Sequence, residues 1–224
     1  MQEFSLVQKI IIWAVPVLFA ITVHEVAHGW VALRYGDTTA KQAGRLTLNP
    51  IKHIDPVGTL LVPGIMLALG GFIFGWARPV PVNFMRLNNP KRDMVFVAIA
   101  GPATNLIMAF IWGGIGYLAY HLPVSVGKPL LFMSVAGIYI NAILMFVNLI
   151  PLPPLDGGRV AVGLLPNKMA MAYSKVEPYG LFIMIALLAS GMLGTILWPP
   201  LSVFVSLISN LFSVPVGQLI GLIT

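Results

Sequence analysis

The sequence predicts an all-α, polytopic membrane protein with about five to six transmembrane helices, a re-entrant segment and short β pieces near residues 40–85. Three observations point there. Hydrophobic residues make up 58% of the 224-residue chain and charged ones only 9%, whereas a soluble domain carries about a quarter charged residues. Several apolar stretches are long enough to cross a hydrocarbon layer of about 30 Å. The basic residues lie between those stretches, where they flank membrane segments. The net charge of +6 is therefore read through loop positions and not as nucleic-acid binding. Zero cysteines exclude disulfides and thiolate metal ligands.

The first helix is expected from Leu6 to Arg34, with Trp30 and Arg34 as interface anchors. It is too long for a cleaved signal peptide. Near its end stands His24-Glu25-Val26-Ala27-His28. Positions four apart share a helix face, so the two histidines can bind one metal ion, and Glu25 lies beside them to take a proton from an activated water. That is the pattern of a zinc hydrolase. With Arg34 at the surface, His28 lies about 9 Å and His24 about 15 Å below it. Ionisable side chains in such a span mark a functional site.

A polar connection follows over residues 35–56, with short alternating pieces read as strands. The apolar stretch Val57–Trp76 is interrupted by Pro63-Gly64, Gly70-Gly71 and Gly75, and its length fits either a full crossing or a re-entrant hairpin. Charge favours re-entry. That path places Arg34, Lys41, Arg45, Lys52, Arg78, Arg86, Lys91, Arg92, Arg159, Lys168 and Lys175 on one face, against Lys9 and Lys128 on the other. Further spans are expected at Val95–Tyr120, Leu130–Ile150, Tyr179–Leu197 and Leu201–Ile223, with a tight turn at Trp198-Pro199-Pro200. The chain reads as one membrane domain over residues 1–224, with a catalytic core at about 5–165 and accessory helices at about 179–223.

A catalytic zinc site needs a third protein ligand, with a fourth position for water. Asp156 is the outstanding candidate. It follows an apolar span within Asn148-Leu-Ile-Pro-Leu-Pro-Pro-Leu-Asp156-Gly-Gly-Arg159, where prolines break the helix and glycines permit close backbone approach. His53 with Asp55, and His121, are read as interfacial; Asp37, Asp93 and Glu177 fall in expected loops as solvated groups.

Three motifs together carry a resemblance: His24-Glu25-x-x-His28, Gly101-Pro102-x-x-Asn105, and Asn148-x-x-Pro151-x-x-x-x-Asp156-Gly157. In this order the chain resembles the site-2 proteases, the intramembrane zinc metalloproteases. Gly44-Arg45-Leu-Thr-Leu-Asn-Pro50 and Trp76-Ala-Arg-Pro-Val-Pro-Val-Asn83 resemble the compact bacterial and archaeal members without PDZ or CBS domains, and the likeness covers about residues 15–165. It implies one zinc per chain, held by His24, His28 and Asp156, with Glu25 as general base. It also implies an oxyanion-stabilising or substrate-orienting role for Asn148, and for Asn105 an interhelical hydrogen bond that holds the site. The expected reaction is hydrolysis of peptide bonds within the transmembrane helix of a single-span substrate, near the cytosolic face of a prokaryotic plasma membrane. The extended segment 78–84 is a candidate edge for pairing with the opened substrate.

The main rival is a zinc or proton transporter using the same His/Asp cluster. Against it stand the lack of paired broken helices in two halves and the presence of Glu25, which hydrolysis requires and transport does not. A zinc protease with glutamate as third ligand would have only Glu3 and Glu177 to draw on.

Overall fold

In a computed structural model, residues 4–61 and 77–223 are described, apart from the side chains of Thr59 and Leu60. The long helices are α1 (Leu6–Arg34), α2 (Pro90–Ala119) and α3 (Val124–Leu149). They are followed by α4 (Asp156–Leu164), α5 (Asn167–Ser174), α6 (Gly180–Ala189) and α7 (Met192–Phe212). Five segments among the described residues are long and apolar enough to cross a membrane: α1, α2, α3, the α5–α6 pair and α7.

Local chemistry explains the boundaries. Ser5 caps α1 reciprocally with Gln8: the Ser5 hydroxyl accepts from the Gln8 amide at 3.3 Å, and Gln8 Oε1 accepts from the Ser5 amide at 2.9 Å. The far end closes on Gly36, at φ +104°, with Gly36 N donating to Leu33 O and Asp37 N to Ala32 O. This wrap uses the left-handed conformation that glycine tolerates. Pro90 occupies the first turn of α2, where its missing N–H costs nothing, so the helix begins before the expected Val95.

Helix α2 is central, packing against α1, α3, α4 and α7. A core of Ile12, Trp112, Phe132, Val135, Ile138, Leu201, Val205 and Ile208 joins α1, α2, α3 and α7. Trp13 Nε1 donates to Ile223 O at 3.0 Å, tying the C-terminal turn back to α1. This core anchors α1, the helix that carries both His24 and His28.

Four expectations change. The described parts of residues 40–85 contain no strand; they hold helical turns at Thr39–Gln42, Pro50–His53, Pro56–Leu61 and Phe84–Arg86. Residues 77–83 are irregular, because Pro79 and Pro81 have no N–H to give a ladder. Their neighbours Val80 and Asn83 donate instead to the carboxylates of Glu25 and Asp37, both at 2.7 Å.

Second, the break between the last spans falls at Ser190-Gly191 and not at Trp198-Pro199-Pro200. Gly191 is left-handed, at φ +73°, and both prolines lie inside α7. Third, α3 starts at Val124, with Pro129 inside it. Prolines within membrane helices are tolerated where neighbouring groups satisfy the freed carbonyls. Fourth, Asp37, Asp93 and His53 are buried, not solvated or interfacial. Asp93 accepts from Asn89 N at 2.7 Å in the first turn of α2, and His53 Nε2 pairs with Thr47 O at 2.9 Å. The re-entrant path proposed for residues 57–76 lies, from residue 62 on, outside the described residues.

Asp37 fixes the connector that follows the apolar stretch. Burial disfavours its charge, but hydrogen bonds from Thr39 and Asn83, helped by the Arg86 guanidinium, hold its pKa below the ordinary carboxylate value. A depressed folded pKa gives stability that is complete above the unfolded value of about 3.9 and is lost as pH falls through the folded value. Hydrogen exchange read at Asn83 and Phe84 tests this. Corrected for intrinsic rates, protection should be constant above about pH 4 and fall on acidification, and Asp37→Ala should exchange at least about tenfold faster at neutral pH.

Candidate metal centre

His24 and His28 project from one face of α1 into the bundle, their ring centroids 4.6 Å apart at an interplanar angle of 86°. Their Nε2 atoms are 3.0 Å apart, and each lies 3.3 Å from Asp156 Oδ2. Among the described residues this is the one group of three metal-capable side chains whose ligand atoms meet.

The outer nitrogens are occupied. His28 Nδ1 is 2.7 Å from Val97 O, which can only accept, so His28 carries its proton there. His24 Nδ1 is 2.5 Å from Asn105 Oδ1. A neutral imidazole protonated at Nδ1 presents a bare lone pair at Nε2. Two such lone pairs therefore meet a buried Asp156 Oδ2 that has no hydrogen-bond partner. Acceptors crowded in this way call for a cation. Ligand atoms at about 2.0–2.1 Å from a tetrahedral zinc stand about 3.3 Å from one another, and the observed separations match. The side chains fit zinc, and the sequence-derived trio is brought together.

The surrounding chain makes the approach possible. A Cβ on Gly101 of α2 would lie 2.6 Å from His24 Nε2 and closer still to His28 Nε2. Only hydrogen in place of a side chain lets α2 lie under the ring edges. Pro102 removes the helical donor to Ala98 O, one residue from the carbonyl that holds His28. On the opposite side, the turn 150–155 brings Asp156 in as the first residue of α4. A Cβ at Gly157 would stand 2.5 Å from Ile150 O, so glycine there lets α4 press onto the end of α3.

Glu25, His24, His28, Asn148 and Asp156 all line one cavity of about 310 Å³, walled by Pro79, Val80, Val82, Phe84, Val97 and Leu155. Glu25 Oε2 accepts from Val80 N at 2.7 Å, so the connector orients the carboxylate. Arg45 in turn holds the connector, its Nη2 donating to Arg78 O at 2.7 Å. Asn148 donates from Nδ2 to Leu144 O at 2.9 Å. Arg159 stands at the rim, 4.8 Å over the Phe84 ring and 3.6 Å from Glu177. The sequence reading passed over Asn141 and the Val80 amide. A polar residue in the middle of an apolar span was the available signal for Asn141; a backbone amide leaves none.

The fold and the site thus define a helical membrane protein with a candidate metal centre of two histidines and one carboxylate, and a glutamate beside it. Residues 123–191 match the model of peptidase family M50, a stretch that contains Asn148 and Asp156. A protein of Bacillus subtilis (strain 168), YwhC, is 40% identical over 207 residues, covering 89% of this chain and 90% of its own. Rip2 of Mycolicibacterium smegmatis (strain ATCC 700084 / mc(2)155) is 30% identical over 173 residues, 76% of this chain and 64% of its own length. Rip2 of Mycobacterium tuberculosis (strain ATCC 25618 / H37Rv) is 28% identical over 171 residues, 76% and 63% respectively. All three bear the description "Putative zinc metalloprotease". This chain spans nearly all of YwhC but less than two thirds of either Rip2. No solved structure matches.

The chain belongs to peptidase family M50, the site-2 metalloproteases. It is an integral membrane protein, and zinc is the metal that its family and its donor set both imply.

Gly101→Ala tests the geometry directly. The added methyl must displace an imidazole, so zinc affinity measured by chelator competition in detergent should fall at least about tenfold, although alanine is the better helix former.

Proposed function

We propose that the protein is an intramembrane zinc endopeptidase that hydrolyses a peptide bond within the transmembrane helix of a single-span membrane protein. The reaction would take place near the cytosolic face of a prokaryotic plasma membrane. The observation that carries the reading is the meeting of His24 Nε2, His28 Nε2 and Asp156 Oδ2 beside Glu25 in one cavity. In this reading the whole chain is one membrane domain: a catalytic core at about 5–165 and accessory helices at about 179–223.

His24, His28 and Asp156 hold the zinc. When bound there, zinc supplies Lewis acidity, which makes water nucleophilic near neutral pH and polarises a carbonyl. Glu25 is the general base. One carboxylate oxygen is held by Val80 N–H, leaving the other to take a proton from the attacking water. As the water oxygen bonds to the carbonyl carbon and the C–N bond breaks, Glu25 returns the proton to the leaving nitrogen. Asn148 has one amide N–H on Leu144 O and a second to orient the substrate carbonyl.

A helical substrate hides its peptide bonds in its own hydrogen bonds, so it must unwind locally to enter. Residues 78–84, four of which wall the cavity, are the proposed surface for the opened segment. Their amides at Val80 and Asn83 are engaged by Glu25 and Asp37, so pairing with substrate uses the remaining carbonyls or exchanges those bonds.

The test is cleavage of a single-span helix in detergent by wild type and by Glu25→Gln, with bound zinc measured in both. Both should hold one zinc, and the variant should cut at least about a hundredfold more slowly. Equal cleavage by the two proteins would remove Glu25 from its role. Zinc movement across proteoliposomes without cleavage of any helix would favour the transporter reading.

A further inference from the structure

We infer that Asn141, in the middle of α3, is a positioning residue that sets the tautomer of His24 through Asn105 and so keeps the metal-binding nitrogen bare. The inference rests on the assignment of His24 as a zinc ligand.

Four groups form a chain across three helices. Asn141 Nδ2 donates to Gly137 O at 2.8 Å. Asn105 Nδ2 donates to Asn141 Oδ1 at 2.9 Å and, at the longer distance of 3.4 Å, to Ala20 O of α1. Asn105 Oδ1 meets His24 Nδ1 at 2.5 Å. Both asparagines are fully buried, and His24 is only 7% exposed, so water does not compete for these groups.

The direction of every bond follows from Gly137 O at the far end, with Ala20 O adding a longer bond to the same Asn105 NH₂. Gly137 O is a carbonyl and can only accept, so the Asn141 amide must turn its NH₂ toward it. That turns Asn141 Oδ1 toward Asn105, where it requires a donor and fixes the Asn105 NH₂. Asn105 Oδ1 then faces His24 Nδ1 and requires a proton there. With the proton on Nδ1, His24 Nε2 is a lone pair facing His28 and Asp156.

The work is not redundant, because neutral histidine in water prefers the opposite tautomer, with the proton on Nε2. His28 is fixed by a single backbone carbonyl, Val97 O. His24 lies deeper and has no carbonyl at Nδ1; its acceptor is Asn105 Oδ1, held in place by the short bond to Asn141 Oδ1 and the longer one to Ala20 O. Orienting partners of this kind change metal affinity about 10–100-fold when removed. Two buried amides in a low-dielectric bundle also cost free energy unless every polar atom is paired, so the relay is specified as a unit.

The experiment compares wild type with Asn141→Leu and Asn141→Asp in detergent. Leucine keeps the size and removes the acceptor; aspartate keeps the acceptor for Asn105. Two readouts are taken: zinc affinity by chelator competition, and the ring ¹⁵N shifts of His24 in zinc-free protein, assigned by single replacement of each of the four histidines.

Asn141→Leu should bind zinc about tenfold more weakly and show His24 partly protonated on Nε2. Asn141→Asp should stay within about threefold of wild type and keep the Nδ1 proton. If Asn141→Leu does not fold, Asn141→Ala takes its place with the same expectation. The inference is overturned if the acceptor-free variant keeps wild-type affinity and the Nδ1–H form, or if aspartate loses as much as leucine. A wild type that binds no zinc would instead overturn the ligand assignment, while the ¹⁵N shifts would still decide the relay.

Discussion

Placing ionisable groups in an apolar bundle is the constraint on which the rest of this structure depends. A buried polar group is costly unless paired, and an ionisable one more so. Here the cost is met locally at each group. His28 reaches the Val97 carbonyl, His24 reaches two asparagines in series, and Glu25 receives the Val80 amide. What remains unpaired is the inner triangle of two imidazole nitrogens and one carboxylate oxygen, the set that a divalent cation completes. Helix α2 serves all of this at once. It supplies the carbonyl for His28, the amide for His24, and the bare glycine under both rings.

The connector 77–89 is organised by the same rule in another form. Its prolines deprive it of ladder hydrogen bonds, so side chains from α1 and the following loop hold it in place: Glu25 and Asp37 take its amides, and Arg45 takes a carbonyl. The base of the proposed reaction is therefore also a structural tether. Access to the cavity and orientation of Glu25 are linked through one short peptide.

Much of the site was legible in the sequence, because its spacing is dictated by geometry. Histidines four apart on a helix share a face, and an aspartate framed by prolines and glycines after an apolar span is placed for close approach. Those rules located His24, Glu25, His28 and Asp156 in one cavity, and the ends of α1. The misses have physical causes of their own. Asp37 lies in a short connection that folds back over the site, Asp93 lies in the first turn of α2, which starts earlier than expected, and both are buried against backbone amides. Alternation in residues 35–56 suggested strands, yet that connection makes short helical turns, and over residues 77–83 two prolines and two carboxylates diverted the hydrogen bonds. Pro199 and Pro200 looked like a turn, while a left-handed glycine eight residues earlier already supplied one. Asn141 is a single amide in an apolar run, and its meaning rests on partners 36 residues and more away.

The most direct test of the central claim, that these three side chains meet on one metal, is X-ray absorption at the zinc edge of the purified, zinc-loaded protein. Two imidazole nitrogens and oxygen ligands at about 2.0–2.2 Å, with one imidazole lost in His24→Ala and in His28→Ala alike, are predicted. A spectrum with one imidazole or none, or one unchanged by those substitutions, would contradict the account.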